Sequence, residues 1–379
     1  RDPEMSRGLG DVYKRQILQN VFLKEMEKKM DKYFEEDTNY LIKNCSYLKE
    51  LESKTILVTG ATGLVGSTLI KTILEYSSFT HNNIKVIALG RNKEKMMKMF
   101  EKYVNDNNFS IFVGDINSKI EIEENIDYII HTAAVTKSKV LKDHPVETTL
   151  TAILGTKNVL DLASEKHIEG MVYLSSMEAY GTFEESLTVN EEMLGYIDLK
   201  NVRNGYAESK RMCEFLCNAY FTEYNVPVKS ARLAQTFGAG VPVDDTRIFA
   251  SITRDVINKE NIVLHTKGLS EANYCYISDT INAILTILIK GVNGETYNIA
   301  NEKCHTTICD MANMVCEKIA NGNIKVVFDI PEDVSINGYA PDTKMKLSSE
   351  KLRGLGWKPQ YDLEKSYQRL ILSYKERMK

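Results

Sequence analysis

"KTILVTGATGLVGSTLIKTIL", residues 54–74, decides the fold. Five of the six residues from Thr55 are strand formers, glycines follow at 60, 63 and 66, and a run with helical periodicity starts at once. Gly60 permits a tight turn off the strand. Gly63 removes a side chain where a ligand would touch backbone, and Gly66 lets helix and strand pack closely. The helix beginning there aims its free amides and positive dipole end at the same point. The stretch therefore reads as the turn that holds the pyrophosphate of a dinucleotide, with Gly60, Thr62, Gly63, Leu64, Val65 and Gly66 around it.

The rhythm set there continues. Strand-like runs at 55–60, 85–90, 110–115, 126–134, 170–176 and 226–234 alternate with helical stretches that include 64–76, 93–105, 146–166 and 206–224. Short, nearly continuous apolar strands separated by helices predict a parallel sheet covered on both faces. The expected class is α/β, a Rossmann-type doubly wound parallel sheet with a smaller C-terminal substrate-binding lobe. The sheet domain takes 54–235, with 274–300 returning to it, and 236–273 with 301–379 forms the lobe. "QTFGAGVPVDDTR" (235–247) reads as loop, followed by a helix at 246–258, a strand at 261–265, a strand-turn-helix from Tyr274 that rejoins the sheet, and a helix at 306–320. Residues 1–53 are an N-terminal extension. Its first 16 residues, "RDPEMSRGLGDVYKRQ", read as translated adapter sequence, and 17–50 as one or two amphipathic helices on the main body.

The remaining composition is that of a soluble globular protein: 379 residues, 26% charged and 43% hydrophobic. A net charge of −4 gives no reason to expect nucleic acid or an anionic membrane as partner. No apolar stretch approaches the roughly 20 residues of a spanning helix, and no secretory pattern opens the chain. Seven scattered cysteines predict reduced thiols and a cytoplasmic location. Cys213 and Cys217 share a helix face without a partner pair at ligand spacing, so no metal is expected.

The second strand ends "IALGRN". Gly90 stands where NAD binders place the acid that bonds the ribose 2′-hydroxyl. Arg91 follows, and a guanidinium suits the 2′-phosphate of NADP. NAD and NADP both stay open. Asp115, after the third strand, is placed either to accept from the adenine amino group or to cap a helix N-terminus.

The chemistry is carried by "YAESK", Tyr206 to Lys210. At i,i+4 both side chains leave one helix face. A phenol is a poor base at neutral pH, and an adjacent ammonium favours the phenolate, lowering its pKa towards working range. "YLSSMEAYG" ends the fifth strand and puts Ser176 at the sheet's C-terminal edge, able to bond the oxygen that Tyr206 deprotonates.

With these motifs in order, the chain resembles the extended short-chain dehydrogenase/reductase family of nucleotide-sugar epimerases, dehydratases and decarboxylases. The matching stretches are "TGATGLVG", "GDI", "HTAA" (131–134), "LGTKNVLDLA" (154–163), "YLSSMEAYG", "YAESK", "YCYISD" and "YNIA", spread over about 54–379. The resemblance implies a nicotinamide cofactor with further contacts at Ile116, Ala133 and Ala134, and a nucleoside-diphosphate sugar as substrate. It also implies catalysis by Ser176, Tyr206 and Lys210, and a homodimer built on the Tyr-Lys helix and its neighbour. The implied first step is oxidation of a sugar hydroxyl, typically at C4, after which the ketone permits decarboxylation, dehydration or epimerisation.

Within the family the pattern is nearest the UDP-glucuronate decarboxylase and dTDP-glucose 4,6-dehydratase branch. Glu178 lies where lyases of that branch carry a carboxylate, and the resemblance places Thr136, Arg203 and Arg247 against the substrate. Four sites depart from it. Met177 stands where 4,6-dehydratases have an acidic Asp, Ala272 where decarboxylases have an Arg, Ala239-Gly240 where a Pro-Arg pair is common, and Ala152 where many members have Asn. Arg203, Arg247 and Arg254 are the candidates to replace the missing arginine. The alternatives are a 4-epimerase and a ketoreductase that consumes NADPH, which Arg91 would suit.

Overall fold

The computed structural model describes residues 31–331 and 343–378. The expected adapter and the first part of the 17–50 helical region lie outside these residues. Seven strands form one sheet: β1 (Thr55–Thr59), β2 (Lys85–Gly90), β3 (Phe109–Val113), β4 (Tyr128–His131), β5 (Gly170–Ser176), β6 (Val228–Leu233) and β7 (Thr296–Ile299). Their order is β7-β6-β5-β4-β1-β2-β3, and every neighbouring pair is parallel. The order reverses between β1 and β4, which opens a crevice at their C-terminal ends. The fold is the expected Rossmann-type doubly wound sheet.

Both faces of this sheet are covered, which is why its strands read as apolar runs rather than alternations. On one face Ile56 and Val58 join Leu69 and Ile73 of α2 (Leu64–Thr80) and Ile281 and Ile284 of α5 (Ile277–Lys290). On the other, Leu57, Ile129 and Tyr173 meet Val159 and Leu160 of α3 (Pro145–Lys166) and Cys213 and Cys217 of α4 (Gly205–Tyr224). Helix α3 starts at Pro145, where the missing N–H is no loss. Asn225, in left-handed conformation, ends α4.

Four expectations need correction. The helix expected at 93–105 stops at Met99 and tightens to a 3-10 turn at Glu101–Tyr103, because Phe100 and Tyr103 turn inward onto Phe109. Gln235–Phe237 is a strand, not loop. Strand Glu271–Tyr276 does not rejoin the main sheet; it lies parallel to Gln235–Phe237 and antiparallel to Asn301–Thr307 in a separate three-stranded sheet. The helix expected at 306–320 begins at Ile308 and widens to a π turn at Val315–Ile319.

Helix α1 (Lys32–Asn44) docks through Phe34 and Leu41 and through a buried polar cluster. Asp37, 1% exposed, accepts from the Tyr276 hydroxyl and from Arg369 of α6 (Leu363–Arg377), each at 2.7 Å. Burial pushes its carboxyl up to about 7 even beside that guanidinium.

Candidate active site

The chain leaves β1 through Gly60 at a φ of +66°, the left-handed region that favours glycine. A Cβ there would lie 2.6 Å from Thr132 Oγ1 and 2.7 Å from the Ala133 nitrogen, so the turn rests on the end of β4 backbone to backbone. A Cβ on Gly66 would lie 2.6 Å from the Gly60 carbonyl oxygen. Gly63 meets only that oxygen, at 3.3 Å, and lines the crevice. Gly60 and Gly66 thus make the tight turn and the close packing that their spacing predicts.

A buried chain of hydrogen bonds fixes the turn from below. Thr59 Oγ1 pairs with His131 Nδ1 at 2.7 Å, His131 Nε2 with Thr156 Oγ1 at 3.2 Å, and Thr132 Oγ1 donates to the Thr59 carbonyl at 2.7 Å. Burial pushes His131 down to about 3, so its ring is a neutral strut at neutral pH.

Above the strand ends lies a cavity of about 440 Å³. Gly60, Thr62, Gly63, Arg91, Asp115, Ile116, Ala133, Ala134 and Thr136 all line it. The structure therefore puts Thr136 with the cofactor candidates. Leu64 and Val65 instead pack against the core as α2 begins. One Asp115 oxygen accepts from the Asn117 nitrogen at 2.9 Å, closing a turn. Lys95 also lines the cavity; its spacing of four from Arg91 was the available signal and sequence reading missed it. Met96 fills the space beside Gly90, its sulfur 2.8 Å from where a Cβ would sit. Cavity size, glycine turn and helix start fit a dinucleotide.

The second cluster gathers where β5 ends. Ser176 closes the strand, and its Oγ accepts from the Glu178 nitrogen at 3.2 Å as a 3-10 turn (Met177–Tyr180) begins. Tyr206 and Lys210 stand one turn apart on α4. Lys210 is 4% exposed; its Nζ donates to the Leu174 carbonyl at 2.6 Å and lies 5.7 Å from the Tyr206 ring centroid. Burial pushes the Lys210 amine down to about 8. Burial and then Glu178 push the Tyr206 phenol up, while the Ser176 hydroxyl, Arg203 and Arg247 pull it down. The net direction is upward, the reverse of the sequence expectation, because desolvation of the phenolate outweighs its charged neighbours.

Behind these groups sits a buried ion pair that sequence reading missed. Glu214, one turn beyond Lys210, receives Arg232 Nη2 at 2.7 Å and Nε at 3.0 Å, and accepts from the Ser175 hydroxyl. The Arg232 guanidinium also covers the Tyr180 ring at 4.5 Å. The strand carrying Ser176 and the helix carrying Lys210 are thereby locked together.

Glu178 and Arg203 pair in two-pronged fashion, Nη1 to Oε2 and Nη2 to Oε1, the latter at 3.0 Å. Arg247 pairs with Asp245 at 2.7 Å, and Arg254 Nη1 donates to the Val243 and Asp245 carbonyls at 2.9 and 2.6 Å. Each arginine offered as a stand-in at position 272 already has a partner. Among the described residues no group of three or more His, Cys, Asp or Glu side chains is arranged to hold a metal.

Known proteins are similar to this chain in sequence and in fold. The chain is 27% identical over 336 residues to dTDP-D-glucose 4,6-dehydratase of Homo sapiens, covering 86% of this chain and 91% of that protein. It is 27% identical over 331 residues to UDP-glucuronic acid decarboxylase 1 of Danio rerio, covering 86% and 73% respectively. The fold matches that of UDP-glucose 4-epimerase from Thermotoga maritima, solved with UDP-glucose, at a TM-score of 0.73 and 19% identity over 86% of this chain and 100% of that one. A model of the NAD dependent epimerase/dehydratase family matches residues 56–300, a span containing the glycine turn, Ser176 and the Tyr206–Lys210 pair. The chain is therefore a member of the NAD dependent epimerase/dehydratase family, an enzyme built around a nicotinamide dinucleotide.

Proposed function

We propose that this enzyme oxidises a hydroxyl, at C4, of a nucleoside-diphosphate sugar and then eliminates carbon dioxide or water from the ketone before returning the hydride. One observation carries this reading: Ser176, Glu178, Tyr206 and Lys210 converge at the C-terminal edge of β5, in the sheet whose switch point holds the dinucleotide cavity. Bound nicotinamide supplies the hydride acceptor. Tyr206 removes the hydroxyl proton, Ser176 bonds the same oxygen, and the Lys210 charge opposes the upward push of burial on the phenol. Arg203 holds Glu178 in a fixed orientation, from which it acts on the acidified C5 position or on the C6 substituent. Arg247 pairs with the diphosphate. The dinucleotide belongs to 54–235 with 274–300, and the sugar to 236–273 with 301–379.

A specific observation favours 4-epimerisation as the second reading. Met177 supplies no proton to a leaving hydroxyl, and no arginine stands at Ala272 to hold a carboxylate. Incubation with UDP-, dTDP-, GDP- and CDP-sugars, read by mass spectrometry, separates the outcomes. Loss of carbon dioxide or water supports the leading reading, an isomer of unchanged mass supports epimerisation, and net consumption of added NADPH marks a ketoreductase.

Arg91 and Lys95 line the cavity at the end of β2, and Met96 occupies the space an acid at 90 would need. These features support NADP binding at least as tight as NAD binding. Calorimetric titration with each dinucleotide tests this, and a clear preference for NAD overturns it. Val146, Leu150 and Leu154 on α3 and Phe215 on α4 present an exposed apolar face; Val146 is 72% and Phe215 64% exposed. A second copy of the chain covers this face in the proposed homodimer, tested by light scattering. The free thiols support a cytoplasmic location.

A further inference from the structure

Helix α1 lies before the family-matched region, yet its side chains reach the loop that carries Arg247. Gly240, at a φ of +93°, faces the Phe34 ring, which lies 3.3 Å from where a Cβ would sit. The Ala239 nitrogen donates to the Tyr276 hydroxyl at 3.4 Å, and that hydroxyl donates to Asp37. Arg369 bonds the same hydroxyl at 3.1 Å, and also Glu36 and the Tyr33 carbonyl of α1. Farther along the loop, Arg377 Nη2 holds the Val241 carbonyl at 2.7 Å and the Tyr374 hydroxyl the Pro242 carbonyl at 2.6 Å. Arg377 and Ser373 are themselves tied to Asp31, the N-cap of α1.

We propose that α1 is a brace for the Gly238–Arg247 loop, with Asp37 as its positioning residue, and that it sets where Arg247 stands relative to Tyr206 and so governs affinity for the diphosphate of the substrate. The chain path from Asp37 through Tyr276 to Ala239 is short, buried and fully hydrogen-bonded. A group so placed transmits displacement rather than absorbing it. Helix α1 also packs on α2, where Lys71 Nζ lies 5.0 Å from the Phe34 ring centroid, but the glycine turn itself is held by Thr59, His131 and Thr132. The substrate part rests on the role of Arg247 proposed above.

The test uses the full chain with Asp37→Ala, its conservative counterpart Asp37→Asn, and Phe34→Ala as an independent contact with the loop. Amide hydrogen exchange is expected to accelerate at least tenfold across 238–247 in Asp37→Ala and Phe34→Ala and to stay unchanged across 60–66, with Asp37→Asn recovering part of the protection. Unchanged exchange at 238–247, or equal acceleration everywhere, overturns the brace. Calorimetric titration with UDP and dTDP gives the functional arm: affinity falls at least tenfold in Asp37→Ala while that for the dinucleotide changes less than twofold. Nucleotide affinity that survives Asp37→Ala but is lost in Arg247→Ala overturns the link from brace to binding. Affinity that survives Arg247→Ala instead overturns the assignment of Arg247 itself.

Discussion

Replacing Lys210 by Met removes the ammonium one turn from the proposed base without emptying the space it fills. Nζ lies 5.7 Å from the Tyr206 ring centroid. At an effective dielectric of about 20, a unit charge at that distance is worth about 3 kcal/mol to the phenolate. That corresponds to about two pKa units. Burial already pushes the phenol up, so the variant moves it farther in the same direction. The acidic limb of the kcat/KM profile should therefore shift upward by about two pH units, with a loss of about a hundredfold at neutral pH. In the wild type the rise with pH should level off near the Lys210 value of about 8, where the amine gives up its charge. The assay is turnover of whichever panel sugar reacts, followed across pH in both proteins, with dinucleotide affinity as control. A hundredfold loss without movement of the limb would refute the reasoning, because it would assign Lys210 to cofactor binding alone.

Three further outcomes follow from the geometry. Gly66→Ala places a Cβ 2.6 Å from the Gly60 carbonyl and 2.9 Å from Thr132 Oγ1, so the turn must shift; dinucleotide affinity should fall tenfold or more and stability by about 1–3 kcal/mol. Glu214→Ala leaves Arg232 buried and unpaired and should cost about 3–5 kcal/mol in denaturant unfolding, with Glu214→Gln intermediate. Lys229, 5% exposed with the Leu288 carbonyl at 3.3 Å as acceptor, has its amine pushed by burial from 10.5 down to about 8. Between those values the folded chain binds fewer protons than the unfolded one, so stability rises with pH there and is lost as pH falls through 8. Lys229→Met should raise stability at neutral pH by about 3 kcal/mol and flatten its share of that rise, leaving the share of Lys210.

The doubly wound sheet was legible because its strands are buried on both faces and each carries its own apolar run. The glycine turn was legible for a different reason: three backbone constraints fall within seven residues. Gln235–Phe237 was not, since a three-residue strand beside a Gly- and Pro-rich stretch has too few side chains to show a period. Glu271–Tyr276 shows as a strand in the sequence but its sheet does not, because its parallel partner Gln235–Phe237 carries no strand pattern of its own. The meeting of Tyr206, Lys210 and Ser176 was legible from spacing and strand end. The pairing of Glu178 with Arg203, 25 positions apart, left no local pattern, nor did that of Asp37 with Arg369, 332 positions apart. The direction of the Tyr206 shift was missed because the sequence displays the ammonium and hides the desolvation.

The central claim is that Tyr206 takes a sugar hydroxyl's proton as hydride leaves for the bound dinucleotide. Rapid mixing of dinucleotide-loaded enzyme with a reactive nucleotide sugar, followed by the absorbance of reduced nicotinamide, tests it directly. The account predicts a transient rise in the wild type and none in Tyr206→Phe at equal dinucleotide occupancy. An equal rise in the variant, or product without reduced nicotinamide under single-turnover conditions, would contradict it.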